Sequence, residues 1–198
     1  LFDQGVIGKL LCIRARYGFG GRPGYEKEWR FSKDIGGGGE FIDQGMHMID
    51  MARWFLGEFQ DAYGFAENMF WGGEVEDNGF ALLRTADRKV AQIHVSWTNW
   101  EWVHSFEIFG TKGYLIVEGL DTRYRGPERI TVGRADPRSG AFPKEETISF
   151  PEEAKEASLR REAEDFARAI RGEKPEIPRG EDAYETLRIV EKIYAMNK

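Results

Sequence analysis

The sequence predicts an α+β domain: one large, open-faced sheet, predominantly antiparallel or mixed, with helices on a single face. Three features predict it. Seven extended runs follow one another between Asp61 and Phe150 with no helix-length segment among them. One stretch of helical period, Glu40 to Leu56, precedes that series, and two more close the chain. Compact turns such as Ala86-Asp87-Arg88-Lys89 and Gly110-Thr111-Lys112-Gly113 join neighbouring runs, as hairpins require.

Taken in order, Gly8 to Tyr17 alternates as a strand does, with Leu11, Ile13, Ala15 and Tyr17 on one side and Leu10, Cys12, Arg14 and Arg16 on the other. Gly18 to Gly24 is a glycine-rich loop, Trp29-Arg30-Phe31 a short extended piece, and Gly36 to Gly39 a run of glycines. From Glu40 the apolar positions Phe41, Ile42, Met46, Ile49, Ala52 and Phe55 take up helical spacing, which Gly57 ends. Strands are expected at 61–68, 79–85, 90–98, 104–109, 114–118, 129–133 and 146–150. The first closing helix carries Leu159, Ala163, Phe166, Ala167 and Ile170 on one face and stops at Gly172 and Pro175. The second carries Ala183, Leu187, Val190, Ile193 and Tyr194, and opens on Glu181 and Asp182 at the positive end of its dipole.

Composition bounds the function. The chain has 198 residues, 41% of them hydrophobic and 31% charged, which suits one substantial globular domain. Its net charge of −6 offers no general attraction for nucleic acid or anionic lipid. The five arginines between Arg123 and Arg138 are interspersed with prolines and acids and read as a solvated stretch. The single cysteine, Cys12, allows no internal disulfide; it reads as a small core residue and fits a reducing, cytoplasmic setting. No run approaches the ~18 apolar residues of a membrane span. Leu1 to Gly5 reads as the tail of a preceding element, so the chain is expected to be one part of a longer protein.

The stretch richest in chemistry is GGGGEFIDQGMHMIDMARWF, residues 36 to 55. On a helix, Asp43, His47 and Asp50 fall at i, i+4 and i+7 and share a stripe. An imidazole titrates near neutrality, and a carboxylate one turn away can orient it or hold a substrate hydroxyl. The glycines ahead leave room for a ligand or another backbone. Gly45 within the helix costs ~1 kcal/mol against Ala, which points to tight packing or access on its face. Spacing alone also allows a solvated pair, or a metal site using the same three residues, although no third His or HExxH pattern supports a metal.

This run resembles the GGG…DxGxHxxDxxxW signature of the Gfo/Idh/MocA oxidoreductases, through Gly37 to Gly39, Asp43, Gly45, His47, Asp50 and Trp54-Phe55. Further points of likeness are Gly5-Val6-Ile7-Gly8-Lys9, Trp29-Arg30, Phe106 to Gly113, and the close from Ile177-Pro178-Arg179-Gly180 through Tyr194. The resemblance implies a C-terminal domain of the glyceraldehyde-3-phosphate dehydrogenase-like kind, with residues 1–198 forming a substrate-binding and dimerisation unit. It implies NAD or NADP as cofactor, held mainly by a preceding dinucleotide-binding domain, and a sugar, sugar nucleotide or cyclitol as substrate. His47 would transfer the proton and Asp43 would bind the substrate hydroxyl. Arg16, Tyr17, Arg30, Lys33, Asp50 and Tyr124 would flank the substrate. A dimer would form across the open face of the sheet, where Trp97, Trp100, Trp102, Phe106 and Phe109 are expected to cluster. His94 and His104 read as structural.

The chain departs from the complete family pattern in having no GxGxxG after a strand and no E-K-P. Gly18-Phe19-Gly20-Gly21 has the wrong spacing for a dinucleotide fingerprint. Alone, the chain is therefore expected neither to bind NAD(P) well nor to turn over. The alternative is a sugar-binding or dimerisation module of the same fold without redox chemistry.

Overall fold

A computed structural model of the chain describes residues 1–120, 123–124, 126–151, 154–174 and 177–197. Eight strands form one sheet in the order β2-β3-β4-β1-β5-β6-β7-β8. They are β1 (Leu10–Gly18), β2 (Phe59–Glu67), β3 (Asn78–Thr85), β4 (Val90–Ser96), β5 (Val103–Gly110), β6 (Gly113–Glu118), β7 (Arg129–Arg134) and β8 (Lys144–Ser149). Every neighbouring pair is antiparallel except β1 and β4, so the sheet is mixed. The first strand is inserted at the centre, beside partners that come more than seventy residues later in the sequence.

Among the described residues four α-helices accompany the sheet: the short α1 (Lys33–Gly36), α2 (Met46–Leu56), α3 (Ala154–Ile170) and α4 (Gly180–Met196). The core lies between one sheet face and α2 and α4. Ile13, Ala15, Ile93, Phe106 and Ile108 from the strands meet Ile49, Ala52, Val190 and Ile193 from the helices, all essentially inaccessible to water. Arg53 ties α2 to α4 from within: its guanidinium donates to the Asp182 carbonyl at 2.8 Å and to Thr186 Oγ1 at 3.2 Å, and pairs with Glu58 at 2.6 Å. Asn197 caps the outer edge of β2, donating to the Gly64 carbonyl, which blocks an edge otherwise open to strand addition. Among the described residues no helix is long and apolar enough to cross a membrane.

Several elements differ from the sequence expectation. Trp29–Phe31 is a 3₁₀ turn, not an extended piece, and a second such turn covers Tyr25–Lys27. The expected helix from Glu40 begins as a π turn over Phe41–Gly45 before becoming α-helical at Met46. Cys12 is half-buried on the open sheet face, opposite Phe109, and is not in the core. The aromatic set expected on the open face divides. Trp97 and Phe106 are wholly buried, Phe106 among the residues under the helices. Phe109, in the pleat phase opposite to Phe106, does look out from the open face. The exposed apolar residues of that face are Tyr63, Phe65 and Leu82. The stop assigned to Pro175 lies outside the described residues.

Candidate active site

The site is built on the start of α2, and the glycines ahead of it explain its position. A Cβ on Gly39 would sit 1.9 Å from the Glu76 carbonyl oxygen, so only glycine lets these two backbones meet. Their contact is double: Gly39 N–H and Phe41 N–H donate to the Glu76 carboxylate, both at 3.1 Å, and Glu40 N–H donates to the Glu76 carbonyl. Tyr194 of α4 closes the cluster with a 2.5 Å hydrogen bond to Glu76 Oε1. The room left at Gly39 is thus taken by another backbone of the same chain. Gly45 shows the tight packing its cost implied, since a Cβ there would press on the Phe41 ring at 2.9 Å. The π turn between them widens the helix start, a distortion common at functional sites.

Asp43 and His47 leave this helix start toward solvent, Asp43 half-buried and His47 exposed. Arg30, from the 3₁₀ turn, approaches Asp43 with Nε 3.4 Å from Oδ2 and lies over the Trp29 ring. Both partners are more than a third exposed, so the pair adds at most about 1 kcal/mol of stability and serves chiefly to orient the carboxylate. Beneath it Tyr25 is buried; burial, then the Asp43 and Glu40 charges, push its hydroxyl well above the ordinary phenol range and keep it neutral.

An aromatic wall stands beside His47. Tyr17 and His104 are cross-strand partners on β1 and β5 and meet edge to face at 5.3 Å. Tyr124 leans on Tyr17 at 5.6 Å and meets Trp102 at 4.8 Å, and Trp102 stacks on Phe19. Burial holds His104 below the usual imidazole range; its bond to Gly119 opposes this and the nearby His47 charge adds to it. Neutral His104 faces the Gly119 carbonyl through Nδ1 at 3.0 Å. A carbonyl only accepts, so Nδ1 carries the proton. Tyr17 and Tyr124, both candidates from the sequence, pack together here. His104 was read as structural, and its place beside Tyr17 follows from a strand register that no local motif encodes.

The remaining candidates are not brought to this point. Arg16 alternates with Tyr17 and so lies on the open sheet face, 3.9 Å from buried Glu107, which Arg14 also grips. Lys33 borders a separate cavity of about 710 Å³ beyond the glycines, with Glu74, Glu191 and Tyr194. Asp50 turns toward α4, where its Oδ1 accepts from Thr186 at 3.4 Å and lies 3.7 Å from Arg53. It therefore holds helix to helix. His94 also sits on the open face, stacked on Phe80. Among the described residues no three His, Cys, Asp or Glu side chains gather as metal ligands would.

Comparison with known proteins fits this geometry. Residues 1–116 match the family model described as the GFO/IDH/MocA C-terminal domain, which is more than half of the chain. The chain belongs to the GFO/IDH/MocA family. The levoglucosan dehydrogenase of Pseudarthrobacter phenanthrenivorans (strain DSM 18606 / JCM 16027 / LMG 23796 / Sphe3) is 28% identical over 145 residues, covering 58% of this chain and 36% of that protein. The chain thus spans little more than a third of this curated relative. A solved levoglucosan dehydrogenase in complex with NADH and levoglucosan superposes with a TM-score of 0.77 at 23% identity, covering 99% of this chain and 59% of that one. The aldose-aldose oxidoreductase of Caulobacter crescentus, complexed with glycerol, superposes with a TM-score of 0.73 at 22% identity, covering 98% and 55%. At such identities these structures establish the fold: the α+β C-terminal domain with a mixed, open-faced sheet.

Proposed function

We propose that this chain is the substrate-binding and dimerisation part of an NAD(P)-dependent oxidoreductase acting on a hydroxyl of a sugar, sugar nucleotide or cyclitol. The observation that carries the reading is the solvent-open pair of Asp43 and His47 at one helix start, with Arg30 orienting the carboxylate and an aromatic wall alongside. The relatives support it, being dehydrogenases and oxidoreductases whose solved complexes include NADH with a sugar.

The residues present fit the substrate side of such a cofactor. At the glycine run, Gly38 meets Tyr194 and Gly39 meets the Glu76 backbone, which leaves those two positions no room for the cofactor's phosphates. A bound nicotinamide would supply the hydride acceptor, held mainly by another part of the longer protein. This chain's residues manage the proton. Asp43, oriented beside Arg30, accepts a hydrogen bond from the substrate hydroxyl. His47, free of any packing role, takes the hydroxyl proton as the carbonyl forms. Tyr17 offers an apolar face against which the C–H side of a sugar ring rests, with buried Tyr124 packed against it. A homodimer through the open sheet face would cover Tyr63, Phe65 and Leu82.

The test is His47→Ala in the longer protein that carries the dinucleotide-binding segment. The expected outcome is a loss of about 10²–10⁴ in kcat, with the unfolding transition and the oligomeric state unchanged because the side chain is exposed. Wild-type turnover in that variant would overturn the assignment.

A further inference from the structure

Two loops at one end of the sheet hold apolar side chains out in water. The loop from β2 to β3 exposes Met69 (58%) and Phe70 (60%), and the loop from β4 to β5 exposes Trp100 (64%). Neither loop is loose. The buried Asp77 carboxylate accepts the N–H groups of Met69, Phe70 and Trp71 at 2.8, 2.9 and 2.8 Å. Asn68 adds a brace, donating to the Gly73 and Val75 carbonyls and accepting from the Gly72 N–H. Trp71 Nε1 locks one loop to the other by donating to the Trp97 carbonyl at 2.9 Å. Phe70 then meets Trp100 at 4.9 Å, with the two rings nearly perpendicular.

Trp100 is held out at a conformational cost. Its φ of 52° lies in the left-handed region, which bulky side chains rarely adopt. Such strain persists only where the surroundings enforce it, and it gathers at ligand sites. Here Gly20 and Gly21 allow the close fit that enforces it. A Cβ on Gly20 would lie 3.0 Å from Trp100 Cα, and one on Gly21 would lie 2.5 Å from the Trp71 ring. The glycine-rich loop after β1, whose spacing suits no dinucleotide, is thus the bed on which both indoles rest.

The patch adjoins the Asp43–His47 site. Strands β1, β2 and β4 point the same way, so the loops leaving them share the end of the sheet that carries Tyr17. Two ring contacts, of 5.8 and 6.4 Å, lead from Tyr25 beneath Asp43 through Trp71 to Trp100. A saccharide of two rings covers that span. Size also selects a small ligand. Three such side chains offer on the order of 350 Å², under half the ~800 Å² that each partner buries in a stable protein interface. The electron-rich ring faces suit the C–H groups of a sugar. Arg22, which lies over the Tyr25 ring, is already paired with Glu28 at 2.7 Å, so an uncharged ring suits the patch better than a nucleotide diphosphate.

We propose that Met69, Phe70 and Trp100 form a second saccharide subsite, so that the substrate is a disaccharide or other glycoside whose far ring stacks on Trp100 while its near ring meets Asp43 and His47. The inference rests on the functional reading above, which places the reacting hydroxyl at that pair.

The test is calorimetric binding of glucose, cellobiose, maltose and UDP-glucose to the longer protein, with oxidation of each followed separately. Cellobiose or maltose is expected to bind about five- to tenfold more tightly than glucose, the gain that one aromatic contact supplies. Trp100→Gly and Phe70→Ala should each bring that ratio close to one. Trp100→Gly should not lower the melting temperature, because glycine suits this backbone and the indole is already in water. A ratio near one in the wild type, or one that neither variant alters, would overturn the subsite, while loss of sugar oxidation in His47→Ala would still uphold the functional reading. UDP-glucose bound more tightly than both disaccharides, with that preference lost in Trp100→Gly, would give the ring to a nucleotide base and overturn the proposal. A changed oligomeric state in Trp100→Gly would assign the patch to a second copy, and would also overturn it. A disaccharide preference kept where no sugar is oxidised would uphold the subsite and remove the functional reading.

Discussion

Replacing Glu40 by Gln should change how stability depends on pH, and the size of the change follows from where the side chain lies. Glu40 is fully buried, and neither carboxyl oxygen makes a hydrogen bond of good geometry. Burial drives its pKa well above the ordinary carboxyl range; the charges of Asp43, Glu76 and Asp77 push the same way, and the main chain at Ser96 gives partial relief. The folded protein therefore keeps a proton that the unfolded chain releases above about pH 4.3. For an acid raised in this sense, stability is greatest below the unfolded value and falls as pH rises, by up to about 1.4 kcal/mol per pH unit, until the folded value is reached. Gln has the shape and no titration. Between pH 5 and pH 7 the variant should thus gain stability relative to wild type, with a ceiling of about 2.7 kcal/mol set by the one-proton slope. Its buried amide adds a constant offset, so the slope is the readout. Glu76 is also raised, by burial, but it is present in both proteins and cancels. Urea melts of both proteins at pH 5, 6 and 7 measure the difference. Stability curves that run parallel across that range would refute the reasoning.

Two further perturbations probe how the site is held. Arg53→Met removes a buried guanidinium that binds the Asp182 carbonyl, Thr186 and Glu58, and should cost about 3 kcal/mol in denaturant unfolding because its partners are left unpaired. Gly39→Ala should cost about 3 kcal/mol or prevent folding, since its methyl group would meet the Glu76 backbone at 1.9 Å, whereas Gly180→Ala, with open space around it, should be neutral or slightly stabilising in the same thermal melt.

The strands were legible because alternation and turn residues are local. Each of the seven runs after Asp61 appears in the sheet within a residue or two of its expected limits. What was not legible is what depends on partners far along the chain. The insertion of β1 between β4 and β5 is one case: its antiparallel register on β5 decides that Tyr17 meets His104 while Arg16 falls on the other face beside Glu107. The π turn is another: a period count cannot separate it from α-helix, because its cause is the Glu76 backbone docking on Gly39. Trp29-Arg30-Phe31 looked extended from its residues, yet as a 3₁₀ turn it carries Arg30 to Asp43. Asp50 shared the expected stripe with Asp43 and His47, but Arg53 and Thr186 hold it against α4.

The helix start also shows how one short segment serves two opposed demands. Inward, Glu40 sits beside the Glu76 cluster, where burial raises both carboxyls above their ordinary range. Outward, Asp43 and His47 stand where water reaches them, Asp43 beside Arg30 and His47 near the neutral ring of His104. A continuous α-helix would give one regular stripe. The π turn instead inserts its extra width between Glu40 and Met46, so that the buried acid and the exposed pair are phased independently. The glycines pay the conformational cost of that arrangement. Their tight contacts locate the helix start against the chain leading into β3 and against α4, so that Asp43 and His47 project from a helix and not from a loop.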